Sequence, residues 1–240
     1  AEQSGHKALY LSGGGVAAAS YGIPDLGITT MEDVLIDVRR ISNASSLPLL
    51  VDIDTGWGGA FNISRTIKEM IDAGAGAVHM EDQISQKRCG HRPNKSLVSS
   101  EEMQDRIKAA VDGRHDESFF LMARTDAIAS EGINAAIDRA AAYVEQGADG
   151  IFLEAATSLE EYKIFKEHIK TPLLANITEF GKTPLFTKDQ LGDVGVDMVL
   201  FPLTAFRAMS KAAEKIYISL AKDGTQDGLL DIMQTREELY

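Results

Sequence analysis

The chain has 240 residues, and 44% of them are hydrophobic, which is enough apolar material to bury one sizeable core. Its formal net charge of -12 argues against nucleic acid or an anionic membrane surface as a partner. A single cysteine cannot form an internal disulfide, and neither a signal peptide nor a membrane-spanning run is evident, so we expect a cytoplasmic protein.

Short apolar runs alternate with segments of helical spacing along the whole chain. This alternation predicts an α/β fold, specifically a (β/α)8 barrel of the TIM type. An open doubly wound sheet is the rival, but Gly13 to Gly15 lack the spacing of a dinucleotide-binding motif. We predict strands that begin near Ala8, Pro48, Ala77, Phe119, Gly150, Pro172 and Asp197.

The predicted helices lie between these strands. A closed barrel of this type needs one strand more than we count, and the chain opens abruptly. We therefore expect a single barrel domain, 1–240, that is truncated at both ends and whose first strand precedes Ala1. The predicted helices span 30–41, 62–73, 99–111, 132–146, 159–168, 187–191 and 205–223.

The first predicted strand runs into a stretch of serine and glycines. The backbone amides of Ser12, Gly13 and Gly14 could cradle a carboxylate or phosphate oxygen, because no side chain blocks the approach. A plain tight turn is the alternative. Asp25 lies in the loop that follows.

Acidic residues end two successive predicted strands, with Asp52 and Asp54 on one and Glu81 on the next. Carboxylate oxygens are the hard ligands that suit Mg2+. In barrel enzymes the chemistry lies at the carboxyl ends of the strands. Any one of these acids could instead cap the next helix, but two acidic strand ends in succession favour a metal site.

The only cysteine, Cys89, lies within Lys87 to His91. Cationic neighbours lower the pKa of a thiol, and Gly90 would let the loop bend toward a ligand. A lone cysteine is usually an inert buried residue, but charged neighbours are rarely buried without partners, so we predict a chemical role for Cys89. His79, inside an apolar strand, is interpreted as a core residue.

Polar residues also end the later predicted strands. A guanidinium at the position of Arg124 can bind a carboxylate through two parallel hydrogen bonds. An internal ion pair with Asp126 or with another acid of the barrel is the alternative, although the strand end favours an active-site role. Glu154, Asn176 and Thr178 follow at successive strand ends, where capping is the other interpretation.

Several motifs together resemble those of a known enzyme superfamily. They are Tyr-Leu-Ser-Gly-Gly-Gly at Tyr10, Val-Asp-Ile-Asp-Thr-Gly at Val51, His-Met-Glu-Asp-Gln at His79, Lys-Arg-Cys-Gly-His-Arg-Pro-Asn-Lys at Lys87, Met-Ala-Arg-Thr-Asp at Met122 and Leu-Ala-Asn-Ile-Thr-Glu-Phe-Gly at Leu174. The chain resembles the isocitrate lyase and phosphoenolpyruvate mutase superfamily, and within it the family of 2-methylisocitrate lyases. The cysteine motif is the most specific, because mutase relatives that act on carbon–phosphorus bonds lack it.

The resemblance implies a cytoplasmic enzyme that cleaves the tricarboxylate 2-methylisocitrate into succinate and pyruvate by reverse Claisen chemistry, in the methylcitrate route of propionate breakdown. It implies Mg2+ as cofactor, with Mn2+ as a substitute, and a homotetramer that exchanges C-terminal helices. Isocitrate lyase and oxaloacetate hydrolase activities are alternatives in the same site, and a barrel that only binds a metabolite is the non-enzymatic one. Isocitrate lyases typically carry a serine- and tryptophan-containing stretch where this chain has Asn176 to Phe180, which favours methylisocitrate.

In the mechanism that this resemblance implies, Tyr10 is our first choice for the base that removes the hydroxyl proton. Cys89 would protonate the succinate carbanion as general acid, with His91 and Glu154 orienting the loop and the ligand. The loop 84–94 would close over the ligand and exclude water.

The remaining implied roles concern the metal and the substrate. Asp52 and Asp54 would hold the metal, with Glu81 and Asp25 acting through water. The other substrate-binding residues are the amides of Ser12, Gly13 and Gly14 for the pyruvyl carboxylate, Gly90 in the loop, Arg124, Asn176, Thr178 and Arg207 for carboxylates, and Phe152, Leu200 and Pro202 for the methyl group.

Overall fold

A computed structural model of the chain describes residues 1–87 and 95–239. The chain divides into two compact units, Ala1–Pro202 and Leu203–Tyr240. The first unit contains the sheet and its packed helices. The second contains one long helix and two short helical segments.

The predicted strands all form, and they pair in chain order into one seven-stranded parallel sheet. Their carboxyl ends therefore lie along the same edge, as in a TIM-type barrel. Within the described residues the first strand pairs only with the second and the last only with the sixth, so an eighth strand stays a prediction. The strands are β1 Leu9–Leu11, β2 Leu49–Asp52, β3 Ala77–Glu81, β4 Phe120–Thr125, β5 Gly150–Leu153, β6 Leu173–Asn176 and β7 Met198–Leu200.

The predicted helices also form, with ends shifted by no more than about one turn. Helices that begin after Thr30, Ser158 and Thr187 do so with capping boxes, in which side chain and backbone satisfy each other's hydrogen bonds. The main helices are α1 Met31–Ala44, α2 Ala60–Asp72, α3 Ser100–Gly113, α4 Ile133–Glu145, α5 Leu159–His168, α6 Lys188–Asp193 and α7 Thr204–Asp223.

Alternation along the strands separates the apolar residues into two layers. One face, with residues such as Val51, Val78 and Leu121, belongs to the large core cluster that includes the helices. Apolar residues on the opposite face of the strands form a second, smaller cluster, which faces the interior of the barrel. Its fully buried members are Met122, Phe152, Leu174 and Leu200.

The glycine-rich segment differs from the predicted turn. Gly13–Gly15 is a helical turn after Ser12, and Val16–Tyr21 continues it as a π-helix. Alanine, which has the highest helix propensity, occupies much of that continuation and outweighs the glycines. Because π-helical segments are frequent at functional sites, the difference bears on the site described below.

The second unit begins with α7, none of whose residues is buried. Met209, Tyr217 and Ile218 are among its exposed apolar side chains. Among the described residues, no helix is both long and apolar enough to cross a bilayer.

Candidate active site

Acidic side chains meet at the carboxyl ends of β2 and β3. Asp52 and Glu81 are the last residues of these strands, and Asp54 follows two positions after Asp52. All three are buried, with exposures of 6%, 1% and 5% respectively. Asp54 has a φ of 49°, in the left-handed region that side chains rarely adopt. Such strain concentrates at functional sites.

Lys87 joins two of the predicted metal ligands, and sequence reasoning missed this contact. Its Nζ lies 2.6 Å from Oδ1 of Asp54 and 2.7 Å from Oδ1 of Asp25. The lysine side chain is only 4% exposed. Burial disfavours its charge, but the surrounding carboxylates, Asp52 first, hold its pKa above the ordinary value. A buried positive charge therefore already lies between Asp25 and Asp54.

The two aspartates of the Asp-x-Asp motif have opposite pKa shifts. Burial and the negative charge of Asp52 raise the pKa of Asp54 to about 7. Burial also disfavours the charged form of Asp52, but interactions with His79, Lys87 and Arg124 lower its pKa to about 2. At neutral pH Asp52 is therefore ionised, whereas Asp54 exchanges between its protonated and ionised forms.

The helical turn at Gly13 packs directly against these carboxylates. A Cβ on Gly13 would lie 3.1 Å from Oδ2 of Asp52 and 3.2 Å from Oδ1 of Asp54. A Cβ on Gly14 would lie 3.1 Å from Oδ2 of Asp25. The Gly13 amide donates a hydrogen bond to Oδ2 of Asp52 at 3.1 Å. Glycine suits these positions because the backbone itself packs closely against the carboxylates of Asp25, Asp52 and Asp54.

The carboxylate oxygens of Asp25, Asp52, Asp54 and Glu81 are hard ligands that suit a divalent cation such as Mg2+. Oε1 of Glu81 is buried and has no hydrogen-bond partner among the described residues, so it can accept a ligand. Within residues 1–87 and 95–239, however, no three His, Cys, Asp or Glu side chains are arranged to hold a metal. The arrangement seen here has the Lys87 ammonium between Asp25 and Asp54.

Tyr10, which is half-buried, and His79, which is fully buried, form a pair inside the barrel. The Tyr10 hydroxyl lies 2.9 Å from Nε2 of His79, and the rings are stacked with centroids 5.7 Å apart. Burial lowers the pKa of His79 to about 4 and, together with the charge of Asp52, raises that of Tyr10 well above its usual value. Both groups are therefore neutral near pH 7. His79 was interpreted as a core residue, and it is buried, but it also contacts a predicted catalytic group.

Arg124 lies among acids at the end of β4. Its Nε donates to Oδ2 of Asp126 at 3.0 Å, and its Nη2 to Oδ1 at 3.2 Å. Glu81 lies 3.3 Å and Glu154 3.7 Å from the guanidinium, which sits 5.0 Å from the Phe152 ring centroid. The ion pair with Asp126 that the sequence left as an alternative is present, and a substrate-binding role stays a prediction.

The remaining predicted residues divide into three groups. Nδ2 of Asn176 donates to Oε2 of Glu154 at 3.2 Å, and Thr178 is buried at the same edge. Phe152 and Leu200 are buried, and Pro202 is half-buried. Cys89, Gly90 and His91 lie outside the described residues, and Arg207 belongs to α7 in the second unit.

Comparison with protein-family models identifies phosphoenolpyruvate phosphomutase over residues 1–221. A curated 2-methylisocitrate lyase from Shewanella oneidensis is 64% identical over the whole chain and is itself 82% covered. The 2-methylisocitrate lyase from Escherichia coli is 60% identical, with 100% of this chain and 81% of the relative covered.

Solved structures extend this likeness to the fold. 2,3-Dimethylmalate lyase matches with a TM-score of 0.93 and 35% identity, covering 99% of this chain and 80% of that one. A phosphonopyruvate hydrolase complex with oxalate and Mg2+ matches with a TM-score of 0.87 and 32% identity, covering 99% and 83%. The chain thus belongs to the isocitrate lyase and phosphoenolpyruvate phosphomutase superfamily, and within it to the family of the 2-methylisocitrate lyases.

Proposed function

We propose that the protein cleaves 2-methylisocitrate into succinate and pyruvate with the help of a divalent metal ion. The observation that carries the chemistry is the convergence of Asp25 and Asp54 on one buried cation position. The substrate follows from the relatives, because the curated 2-methylisocitrate lyases reach 64% identity. The solved 2,3-dimethylmalate lyase and oxaloacetate acetylhydrolase reach only 35%.

Asp52 and Asp54 would hold the metal, with Glu81 and Asp25 acting through water. We propose Mg2+, with Mn2+ as a substitute, and the related hydrolase solved with oxalate and Mg2+ supports this choice. When bound, the ion would polarise the hydroxyl and carboxylate oxygens of the substrate. Lys87 contacts two of the same carboxylates, so its ammonium and a bound cation would compete for Asp25 and Asp54.

Tyr10 remains our choice for the group that takes the substrate hydroxyl proton. A neutral phenol cannot accept a proton unless it releases its own. Nε2 of His79, 2.9 Å from the hydroxyl, is placed to receive that proton in the tautomer that leaves Nε2 as acceptor. His79 is thus proposed to act through Tyr10.

The leaving succinate carbanion needs a proton donor, for which we propose Cys89. His91 and Glu154 would orient the loop and the ligand, and the loop 84–94 would close to exclude water. Glu154 is 1% exposed, so it would act from within the barrel edge.

Carboxylates of the substrate would be bound around the same edge. The extra methyl group that distinguishes this substrate from isocitrate contributes about 1 to 3 kcal/mol of discrimination in an apolar pocket. We propose that Phe152 and Leu200 of the interior cluster line the pocket for this methyl group, together with Pro202, which follows β7 in the chain. The proposed carboxylate-binding groups are the amides of Ser12, Gly13 and Gly14 and the side chains of Arg124, Asn176, Thr178 and Arg207, and Gly90 is a further proposed substrate-binding residue.

We further propose a cytoplasmic homotetramer of single barrel domains that exchange C-terminal helices. The exposed apolar side chains of α7, among them Tyr217 and Ile218, support such an exchange because an isolated helix gains little stability without packing. Native mass spectrometry should find four copies, and a monomer would contradict the exchange.

The decisive experiment measures succinate and pyruvate release from 2-methylisocitrate, with and without Mg2+, beside isocitrate and oxaloacetate. We expect Mg2+-dependent cleavage that strongly favours the methylated substrate, and C89S should lose turnover while retaining ligand binding. Preference for isocitrate or oxaloacetate would keep the metal site and overturn the substrate. No turnover of any of them would favour a metabolite-binding barrel.

A further inference from the structure

Two buried lysines flank the segment 88–94, and their partners differ. Lys87 contacts the carboxylates of Asp25 and Asp54, as described above. Lys95 donates from Nζ to Oδ1 of Asp126 at 2.7 Å, and its side chain is 5% exposed beside a fully buried aspartate. The carboxyl-side end of the segment is therefore held by a residue outside the proposed metal site.

The chain on either side of this segment is paired at its base. The Ile84 amide donates to the carbonyl of Ser96 at 3.0 Å, and the Val98 amide donates to the carbonyl of Asp82 at 2.9 Å. Gln83 and Leu97 form an antiparallel bridge between them. Lys95 lies on the returning strand of this base, so its side chain ties the base to the end of β4.

Asp126 is shared between Lys95 and Arg124. Its Oδ1 accepts from both Lys95 at 2.7 Å and Arg124 Nη2 at 3.2 Å, and its Oδ2 accepts from Arg124 Nε at 3.0 Å. Burial disfavours the Asp126 carboxylate, but the charges of Arg124 and Lys95 outweigh it and hold its pKa below the ordinary value. One carboxylate thus fixes both the loop base and the guanidinium.

Asp126 is itself fixed by a second buried aspartate. Oδ1 of Asp82 accepts from the Asp126 amide at 2.9 Å. Oδ2 of Asp82 accepts from the hydroxyls of Thr125 at 2.8 Å and Tyr143 at 2.9 Å. Because each oxygen of Asp82 is bonded to a rigid element, Asp126 has little freedom to follow the loop if it moves.

We propose that Asp126 and Lys95 are positioning residues that hold the paired base around Gln83 and Leu97 in a fixed place relative to Arg124. Neither residue needs to touch the substrate. Lys95 sets where the loop base stands, and Asp126 sets the direction in which Arg124 presents its guanidinium. This proposal rests on the proposed function, since it assumes that Arg124 binds a substrate carboxylate and that the loop supplies the proton.

The test compares K95M, D126N and the control K108M. Lys108 makes a matched lysine–aspartate pair with Asp105 at 3.1 Å, but on an exposed helix surface, so K108M removes a pair without touching the loop. We expect K95M to lower kcat about tenfold or more with little change in KM, because the paired base loses its tie to Asp126 while Arg124 keeps Asp126. D126N should lower kcat and also raise KM, because Arg124 loses its bidentate partner.

Hydrogen exchange supplies a second readout that does not depend on turnover. In K95M the amides of Ile84 and Val98 should exchange about tenfold faster than in the wild type, and in K108M they should not. K95R, which keeps the charge, should restore both exchange and kcat. If D126N does not fold, the comparison of K95M and K95R with K108M tests the proposal.

Two results would overturn the coupling. Equal kcat in K95M and K108M would show that Lys95 has no positioning role. A D126N enzyme with unchanged KM would show that Asp126 does not position Arg124. A wild-type enzyme that cleaves none of the substrates would instead refute the proposed function, while faster exchange in K95M would still support the tie at the loop base.

Discussion

Two groups of buried charge lie along the same edge of the sheet, and they are built differently. In the acidic group of Asp25, Asp52, Asp54 and Lys87, Asp52 accepts backbone hydrogen bonds at both oxygens, but Asp25 and Asp54 share one ammonium, and the pKa of Asp54 is raised to about 7. In the supporting group of Asp82, Lys95, Arg124 and Asp126, both oxygens of each aspartate accept hydrogen bonds from the surrounding protein.

The difference indicates which group can change its partner. A carboxylate whose oxygens are all bonded to rigid donors holds its neighbours in place, and disturbing it leaves buried charge unpaired. A carboxylate that repels a neighbour and shares one flexible lysine can exchange that cation for another. The acidic group is therefore suited to binding a metal, and the supporting group to positioning.

The largest expected effect comes from D54N. Loss of a metal ligand should lower kcat/KM about 1000-fold, equivalent to about 4 kcal/mol. The melting temperature should stay equal or rise, because the variant removes a carboxylate that Asp52 repels. Steady-state kinetics with Mg2+ and a thermal melt check both parts, and activity within tenfold of wild type would contradict the metal role.

The same substitution in the supporting group should act on folding instead. D82N should lower the free energy of unfolding by about 3 kcal/mol, because an amide cannot accept from every donor around Asp82 and leaves buried groups unpaired. Urea denaturation followed by circular dichroism measures the change. A D82N protein as stable as D54N would show that the two groups do not differ in this way.

Metal affinity should depend on pH through Asp54. Its pKa in the metal-free protein is about 7, so below that pH a proton must leave before the ion can bind. Mn2+ affinity should fall as pH drops below 7, by at most about tenfold or 1.4 kcal/mol per unit, and level off above 7. Electron paramagnetic resonance titrations across this range test it, and a flat profile would mean that Asp54 is already ionised.

The smallest effect is expected far from both groups. K108M removes an ion pair whose side chains are 54% and 72% exposed. Solvent screening leaves such a pair less than about 0.5 kcal/mol of stability. Urea denaturation should find K108M close to wild type, and a larger loss would show that surface pairs on α3 matter more than their exposure implies.

Much of the fold followed from sequence periodicity, because strands and helices each repeat at a fixed spacing. The acids at the ends of β2 and β3 were predicted for the same reason, since their place depends only on where each strand stops. The plain tight turn, given as the alternative at Ser12 to Gly14, does not form, because Gly13–Gly15 is a helical turn. Spacing alone also does not reveal that this backbone approaches Asp52 and Asp54 closely.

Contacts between distant residues were not predictable. Lys87 and Asp25 are 62 positions apart, and Tyr143 and Asp82 are 61 apart, so only the folded sheet brings them together. Sequence reasoning considered the cations beside Cys89 only as activators of the thiol. The sequence left open whether Arg124 pairs with Asp126, and only the structure shows that contact, with Glu81 and Glu154 also near the guanidinium.

The separation of the apolar residues into two layers has a consequence for evolution. The small interior cluster around Phe152 and Leu200 lies on the opposite face of the strands from the main core. Substitutions there can reshape a substrate pocket without disturbing the helices that stabilise the barrel. A 2,3-dimethylmalate lyase with 35% identity keeps the same fold at a TM-score of 0.93, so this fold tolerates extensive substitution. Libraries aimed at new substrates should therefore vary the interior layer first.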